Sequence, residues 1–354
     1  MRLLCLCALS LTAIVSGNAQ TAANAGAGLP QDPRDLLAAA APLYDFTSPE
    51  LKPWHLKATY QLYDEKGNPR EPGTYEYWWI SPQVHRSTWK RGSAISTDWY
   101  TAGGKHAHQQ AGEHIEFFEY GLQSALLAPL PGSGDLDPDK TRLSRETMSF
   151  GGVTLPCIMV TPPMPEQRHA RPVPPGLYPT YCFDPRSPIL RASYSFGNLS
   201  TQFNHIVNME DRLLAREITV SDSNRKILSA QVDTITLVEP DDPALNPPAD
   251  ATDATQDKPL QISGEVMSGM RLVGQPPVYT QEARSAHASG TVVLRALVGA
   301  DGSVHELRVI SAPHPSLAAS ALRAVSRWEY KPYVVDGAPV DVETTVNVSY
   351  ALGN

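Results

Sequence analysis

The sequence predicts an α+β protein of two domains, a β-rich one followed by a small mixed one. Three observations predict it. From Trp54 onward, apolar residues recur at every second position in short runs broken by Gly, Pro and Asn, the pattern of antiparallel strands. The acidic, proline-rich stretch "EPDDPALNPPADATDATQDKP" then interrupts that pattern without a single aromatic residue. Beyond it, the order helix, strand, strand, helix, strand completes the chain. The 354 residues suit about two domains, and 42% hydrophobic with 19% charged is a globular composition. A net charge of −8 without a basic run argues against a nucleic-acid partner.

Residues 1–25 read as a signal peptide. Leu3 to Val15 is apolar and small residues follow, with a cut expected near Ala19 or Ala25. Spanning a membrane takes about 20 apolar residues, more than this run supplies. The expected localisation is therefore the periplasm, with inner-membrane anchoring as the alternative if the segment stays. Two cysteines, Cys157 and Cys182, remain in the exported chain and are expected to form a disulfide. Closing the proline-rich loop between them is worth on the order of 3 kcal/mol in the chain-entropy model.

The β-rich domain is placed at residues 30–238. Asp32-Pro33 is a helix start, an N-cap followed by proline in the first turn, and "RDLLAAAAPLYDF" supplies the helix. In "WHLKATYQLYD" the residues Trp54, Leu56, Ala58, Tyr60 and Leu62 share a face, as do Tyr75, Tyr77 and Trp79 in "GTYEYWWIS". Further strand candidates are "HRSTWKRG", "STDWYTAGGKHAHQQ", "ILRASYSFG", "LLAREITVSD" and "KILSAQVDTITLVE". One helix on a large meandering antiparallel sheet is the expectation. Residues 239–261 read as an extended linker, because so polar a stretch buries too little apolar surface to offset its ordering entropy.

The small domain, residues 262–354, is expected to hold three strands and two helices. "PVYTQEARSA" is a short helical stretch. Thr291–Val298 and Val304–Ile310 form a hairpin around Asp301-Gly302, a pair suited to positive φ. "HPSLAASALRAVSRWEY" is a helix with Ser316 as N-cap and Leu317, Ala321, Val325 and Trp328 along one stripe, and Pro332 prevents its continuation. In "PVDVETTVNVSY" Val340, Val342, Val346, Val348 and Tyr350 lie on one face; Asp341, Glu343, Thr345, Asn347 and Ser349 lie on the other.

The segment from about Gln275 to Tyr350 resembles the C-terminal domain of TonB, the energy transducer for outer-membrane receptors. Tyr279…Ala283-Arg284, Gly290, Asp301-Gly302, Ala324-Val325…Arg327-Trp328-Glu329-Tyr330-Lys331-Pro332, Asp336-Gly337 and the alternating last strand carry the resemblance. It implies a TonB-dependent receptor as partner, whose extended TonB box adds to the sheet edge. Val340, Val342, Thr344, Val346, Val348 and Tyr350 are then the expected docking strand, with Gln275 and Tyr279 as second contacts. Asp341 and Glu343 are otherwise expected to be charges that keep an unpaired edge from self-pairing. The chain departs from the family in having Thr280 where a proline usually stands and in the spacing of Gln275 from Tyr279. Inner-membrane motor proteins become partners only if the N-terminus is retained. The linker spans at most roughly 70 Å when extended.

The upstream domain loosely resembles the half-barrel of LolA-like lipoprotein carriers, on its order of elements and the phrase "YCFDPRSPILRASYSFG". That resemblance implies a possible acyl or lipid ligand against Trp54, Tyr60, Tyr77 and Trp79; otherwise these rings fill the core. His106 and His108 face the same way on a strand, with His114 nearby, yet no recognised ligand spacing completes a metal site. No cofactor and no enzymatic activity are expected, since neither a phosphate loop nor a nucleophile elbow is present. Arg323 and Arg327 share a helix face, either solvated or meeting an acidic partner.

Overall fold

A computed structural model describes residues 29–150, 152–161, 178–195, 199–222, 224–254, 259–335 and 337–352. The expected signal peptide and most of the loop between the two cysteines lie outside them. Helix α1 (Pro33–Tyr44) starts as its sequence requires. The Asp32 side chain accepts the N–H groups of Arg34 and Asp35, and Pro33 fills the first turn.

Thirteen strands make one open, wholly antiparallel sheet: β1 (Trp54–Tyr63), β2 (Pro69–Ser81), β3 (Val84–Arg91), β4 (Ala94–Tyr100), β5 (His106–Ala111), β6 (Arg142–Phe150), β7 (Val153–Thr161), β8 (Thr180–Phe183), β9 (Leu190–Ser195), β10 (Leu199–Met209), β11 (Arg212–Asp222), β12 (Arg225–Leu237) and β13 (Thr252–Ala254). Their spatial order is β13-β5-β4-β3-β2-β1-β12-β11-β10-β9-β8-β7-β6. The chain therefore meanders out from β1 to β5, crosses to the far edge at β6, and meanders back until β12 pairs with β1.

The crossing carries a second helix, α2 (Phe117–Leu127), which the sequence reading did not anticipate. Glu116 and Glu119 cap its start reciprocally. The stretch "STDWYTAGGKHAHQQ" is the β4–β5 hairpin rather than one strand, turning at Gly103-Gly104. Both helices share a core with the face that bears Trp54, Leu56, Ala58, Tyr60, Tyr75 and Trp79.

The acidic stretch is not extended away from the body. Asp242 caps a turn at Pro243–Leu245, and the Ala244 carbonyl accepts from Arg86 Nη1 and Trp99 Nε1, both at 3.1 Å. Arg86 also lies over the Trp78 and Trp99 rings on the sheet's outer face. Leu245 is buried, and β13 pairs with β5. Fixed donors and one apolar anchor thus hold a segment whose composition alone would leave it loose.

The remaining elements are β14 (Leu260–Gln261), α3 (Gly264–Gly269), β15 (Arg271–Val273), α4 (Gln281–Ser285), β16 (Gly290–Val298), β17 (Val304–Ser311), α5 (Pro315–Val325), β18 (Glu329–Tyr330), β19 (Val334–Val335), β20 (Ala338–Pro339) and β21 (Val342–Tyr350). The small sheet has four strands in the order β14-β21-β16-β17, one more than expected, and α3 is an additional helix. Leu317, Ala321 and Val325 of α5 face Val292, Leu294, Val342 and Val348 in one apolar core. The N-cap of α5 is His314 rather than Ser316: Pro315 takes the first helical position, and the His314 ring accepts the Ser316 N–H. The helix ends at Val325, so Trp328 packs against the same core from beyond its end.

Candidate functional site

β21 pairs along its whole length with β16, and alternate residues take opposite roles. Val340, Val342, Thr344, Val346, Val348 and Tyr350 are all buried, none more than 7% exposed. Their side chains build the core under α5, as the alternation in the sequence implies, and do not face the strand's outer edge. What the strand can offer is main chain. The Asp341 and Glu343 carbonyls accept from the N–H groups of Leu260 (2.8 Å) and Ile262 (3.0 Å), so odd-numbered residues turn their peptide groups outward.

This outer edge is half taken. β14 pairs with Val342 and Glu343. Gly264 then lies so close to the Thr345 carbonyl that an added Cβ would stand 2.1 Å from its oxygen. Past that point, Asn347 and Ser349 have no strand beside them among the described residues, and their side chains are exposed. The opposite edge strand, β17, packs against α2 of the large domain. The open edge is thus short and lies at the C-terminal end of β21.

Tyr279 is brought to that end. Its ring meets the Tyr350 ring edge-on at 5.7 Å, and its hydroxyl donates to the Ala288 carbonyl. Gln275 is not brought there; it is exposed, and its carbonyl accepts from Trp328 Nε1 at 3.0 Å. Asp341 accepts the Ala300 N–H at 2.8 Å, and Glu343 engages Arg295 and Gln261. Both carboxylates therefore bind their own domain rather than guard a bare edge. Cys157 and Cys182 face each other on β7 and β8 and are joined by a disulfide, their Cα atoms 4.0 Å apart.

Helix, hairpin, helix and closing strand here correspond to a known domain. Residues 275–352 match the family model for the Gram-negative bacterial TonB protein C-terminal region. The solution structure of the Pseudomonas aeruginosa TonB C-terminal domain is 22% identical, with a TM-score of 0.22, covering 24% of this chain and 86% of that one. A Vibrio parahaemolyticus structure described as an outer membrane lipoprotein-sorting protein domain aligns at 9% identity and TM-score 0.38, over 60% of this chain and 97% of that one. A LolA superfamily protein from Nitrosomonas europaea aligns at 8% identity and TM-score 0.33, over 58% and 94%. No curated protein matches the chain.

The TonB-like domain sits against the large domain, and a cavity of about 690 Å³ lies between them. Of the four rings expected to meet an acyl chain, only Tyr77 lines it; Trp54, Tyr60 and Trp79 are in the core. Two carboxylates dominate its polar end, each held by two histidines. Asp98 accepts from His106 Nε2 (2.9 Å) and His108 Nδ1 (2.8 Å). Asp301 lies 3.2 Å from His305 Nε2 and 3.4 Å from His114 Nδ1, and it also accepts the N–H and hydroxyl of Ser303. The second cluster crosses between the domains, because His114 belongs to the loop before α2. The His305 ring stacks on Tyr120 of α2 at 3.9 Å.

Burial opposes charge on both carboxyls, yet their histidines hold them well below the usual carboxylate range. Burial likewise works to lower His108 and His305, but the carboxylate partners win and raise both. A hydrogen bond that His114 donates to Asp301 raises His114. His85, without such a partner, is pushed down to about 4 by burial. Among the described residues no group of three ligands could hold a metal, and no helix is long and apolar enough to cross a membrane. Arg323 and Arg327 do meet acidic partners, within their own chain: Asp222 at 3.7 Å and Glu65 at 3.6 Å. The sequence marked His106 and His108 as facing one way. It could not place Asp98 opposite His108, since that needs the β4–β5 register.

Proposed function

We propose that this protein works on the periplasmic side of the bacterial envelope. Its TonB-like domain binds an extended segment of a TonB-dependent outer-membrane receptor along the distal edge of β21. The observation that carries the reading is the outer main-chain edge at Asn347 and Ser349, beside which no strand lies among the described residues, in a segment that matches the TonB C-terminal family. An added strand would bond to those two residues, with Tyr279 packed at the end of the groove. Affinity would come from main-chain hydrogen bonds and would be modest, since the open stretch is short.

The test is titration of isotope-labelled protein with a synthetic peptide carrying a receptor's TonB box. Amide shifts are expected at Asn347 and Ser349, and Asn347→Pro should abolish them by removing an outward donor. Val346→Pro is a poorer probe, because the peptide group of Val346 faces β16. Shifts confined to other strands, or binding that survives Asn347→Pro, would overturn edge docking.

A second reading is favoured by the interdomain cavity: the large domain carries a small ligand, and the TonB-like domain docks the carrier at its receptor. Co-purified or added small molecules bound between the domains would support it.

A further inference from the structure

The interdomain cavity has a chemical bias that its walls make explicit. Asp98, Asp301, Asp341 and Glu306 line it, while Arg308 is the lining arginine and no lysine contributes among the described residues. Histidines supply the remaining basic groups: His85, kept neutral by burial, with His106, His108 and His305 in the wall and His114 behind Asp301. Aromatic rings complete the enclosure, with Tyr77, Trp89, Tyr100 and Tyr181 from the sheet and Tyr120 from α2. Tyr100 stacks between His85 (4.2 Å) and His106 (4.3 Å), which covers both its faces and braces the imidazole that holds Asp98. Phe117, Phe118, Leu199 and Val220 make one side apolar.

We propose that this cavity binds an amphiphilic organic cation, an amine or quaternary ammonium on an apolar body, with both domains supplying the site. The proposal rests on the carrier reading and names its ligand class. The carboxylates supply the counter-charge, and the apolar side takes the body. A site for an acyl anion would need the opposite charge balance.

Histidine makes the charge of the site adjustable. His108 faces Asp98, His106 and, across the cavity, Asp301. His305 faces Asp301, Asp341, Asp98 and Tyr120. Protonated, these imidazoles neutralise the carboxylates; neutral, they leave the negative charge for a ligand. A bound cation competes with the histidine protons, so its entry releases protons and its affinity rises with pH.

Calorimetric titration of the full chain with octyltrimethylammonium and, in parallel, octanoate tests this. The cation is expected to bind at about pH 8 at least about tenfold more tightly than octanoate. Its affinity should fall severalfold at about pH 6, as the histidines gain protons. Buffers of different ionisation enthalpy should report proton release on binding. Asp98→Asn should weaken the cation about tenfold while leaving octanoate no weaker. The pH dependence of the unaltered chain is the second measurement, independent of how that variant folds. Octanoate binding as well as the cation, or a cation affinity indifferent to pH, overturns the cation assignment and leaves a carrier of apolar ligands. Binding of neither probe removes the carrier reading too.

Discussion

The two domains fill their cores differently. The large one buries an ion pair and a neutral donor: the Arg91 guanidinium lies 3.0 Å from Glu119, the Tyr60 hydroxyl donates to the same carboxylate, and Glu119 is fully buried. In the small one, the clustered core is apolar, and Thr344 and Ser320 are its buried polar neighbours among the described residues. An ion pair inside a protein is a weak source of net stability, but breaking one is costly. What it does supply here is position. Glu119 lies on α2, Tyr60 on β1 and Arg91 on β3, so the cluster fixes the helix that carries Phe117, Phe118 and Tyr120 to the TonB-like domain. One core is built to hold a part in place, the other simply to be stable.

The contrast predicts a graded set of effects. Glu119→Ala removes the closest carboxylate from buried Arg91, which keeps Glu113 and Glu116 at 3.6 Å, and should cost the large domain about 3 kcal/mol, read as a lowered denaturation midpoint. A loss near that of a surface substitution would mean that the cluster positions nothing. Trp328→Ala removes a ring at the border of the apolar core and should cost about 3 kcal/mol, confined to the small domain. Calorimetry should then resolve two transitions, and a uniform shift of both would show that the domains melt as one. Asp301→Asn should loosen the contact between the domains without unfolding either, visible as increased hydrogen exchange in α2 and β17.

The same contact should respond to pH. His114 and His305 are raised, so what their protonated forms contribute is fully present below about 6.5 and is lost as pH rises through their folded values. Asp301 is lowered, so its contribution holds above the ordinary carboxylate range and fails only in acid. A contact that loosens on mild alkalinisation without the domains separating, read as faster hydrogen exchange in α2 and β17, is the expected result; loosening on mild acidification would reverse the assignment. The smallest effect is expected from Asn347→Pro, within about 0.5 kcal/mol, because its outward N–H has no partner to lose.

Much of the small domain was legible because its information is local. Alternation along β21, the positive φ of Gly302 in the hairpin turn and the Leu317, Ala321, Val325 stripe can each be read within a few residues. Long-range pairing decided the rest. The sequence showed that Trp54 to Leu62 form a strand, but not that its neighbour would be β12. Helix α2 was missed because Phe117-Phe118 and Gly121 blur its periodicity, while its start depends on two glutamates capping each other. The acidic stretch looked free because its anchors, Arg86 and Trp99, are far away in the chain. The shared cavity depended on a docking that no single domain encodes.

The return of β12 to β1 also dictates an order of events. Trp54 pairs with Leu237, so a strand made near the start has to wait for one made at the end of the domain. Until then β1, central in the finished sheet, has an unpaired edge with apolar neighbours. Folding through such distant contacts is slow, and a chain shortened anywhere before Leu237 exposes that edge permanently. The large domain should therefore tolerate loss of everything after the acidic stretch far better than loss of its own last strand.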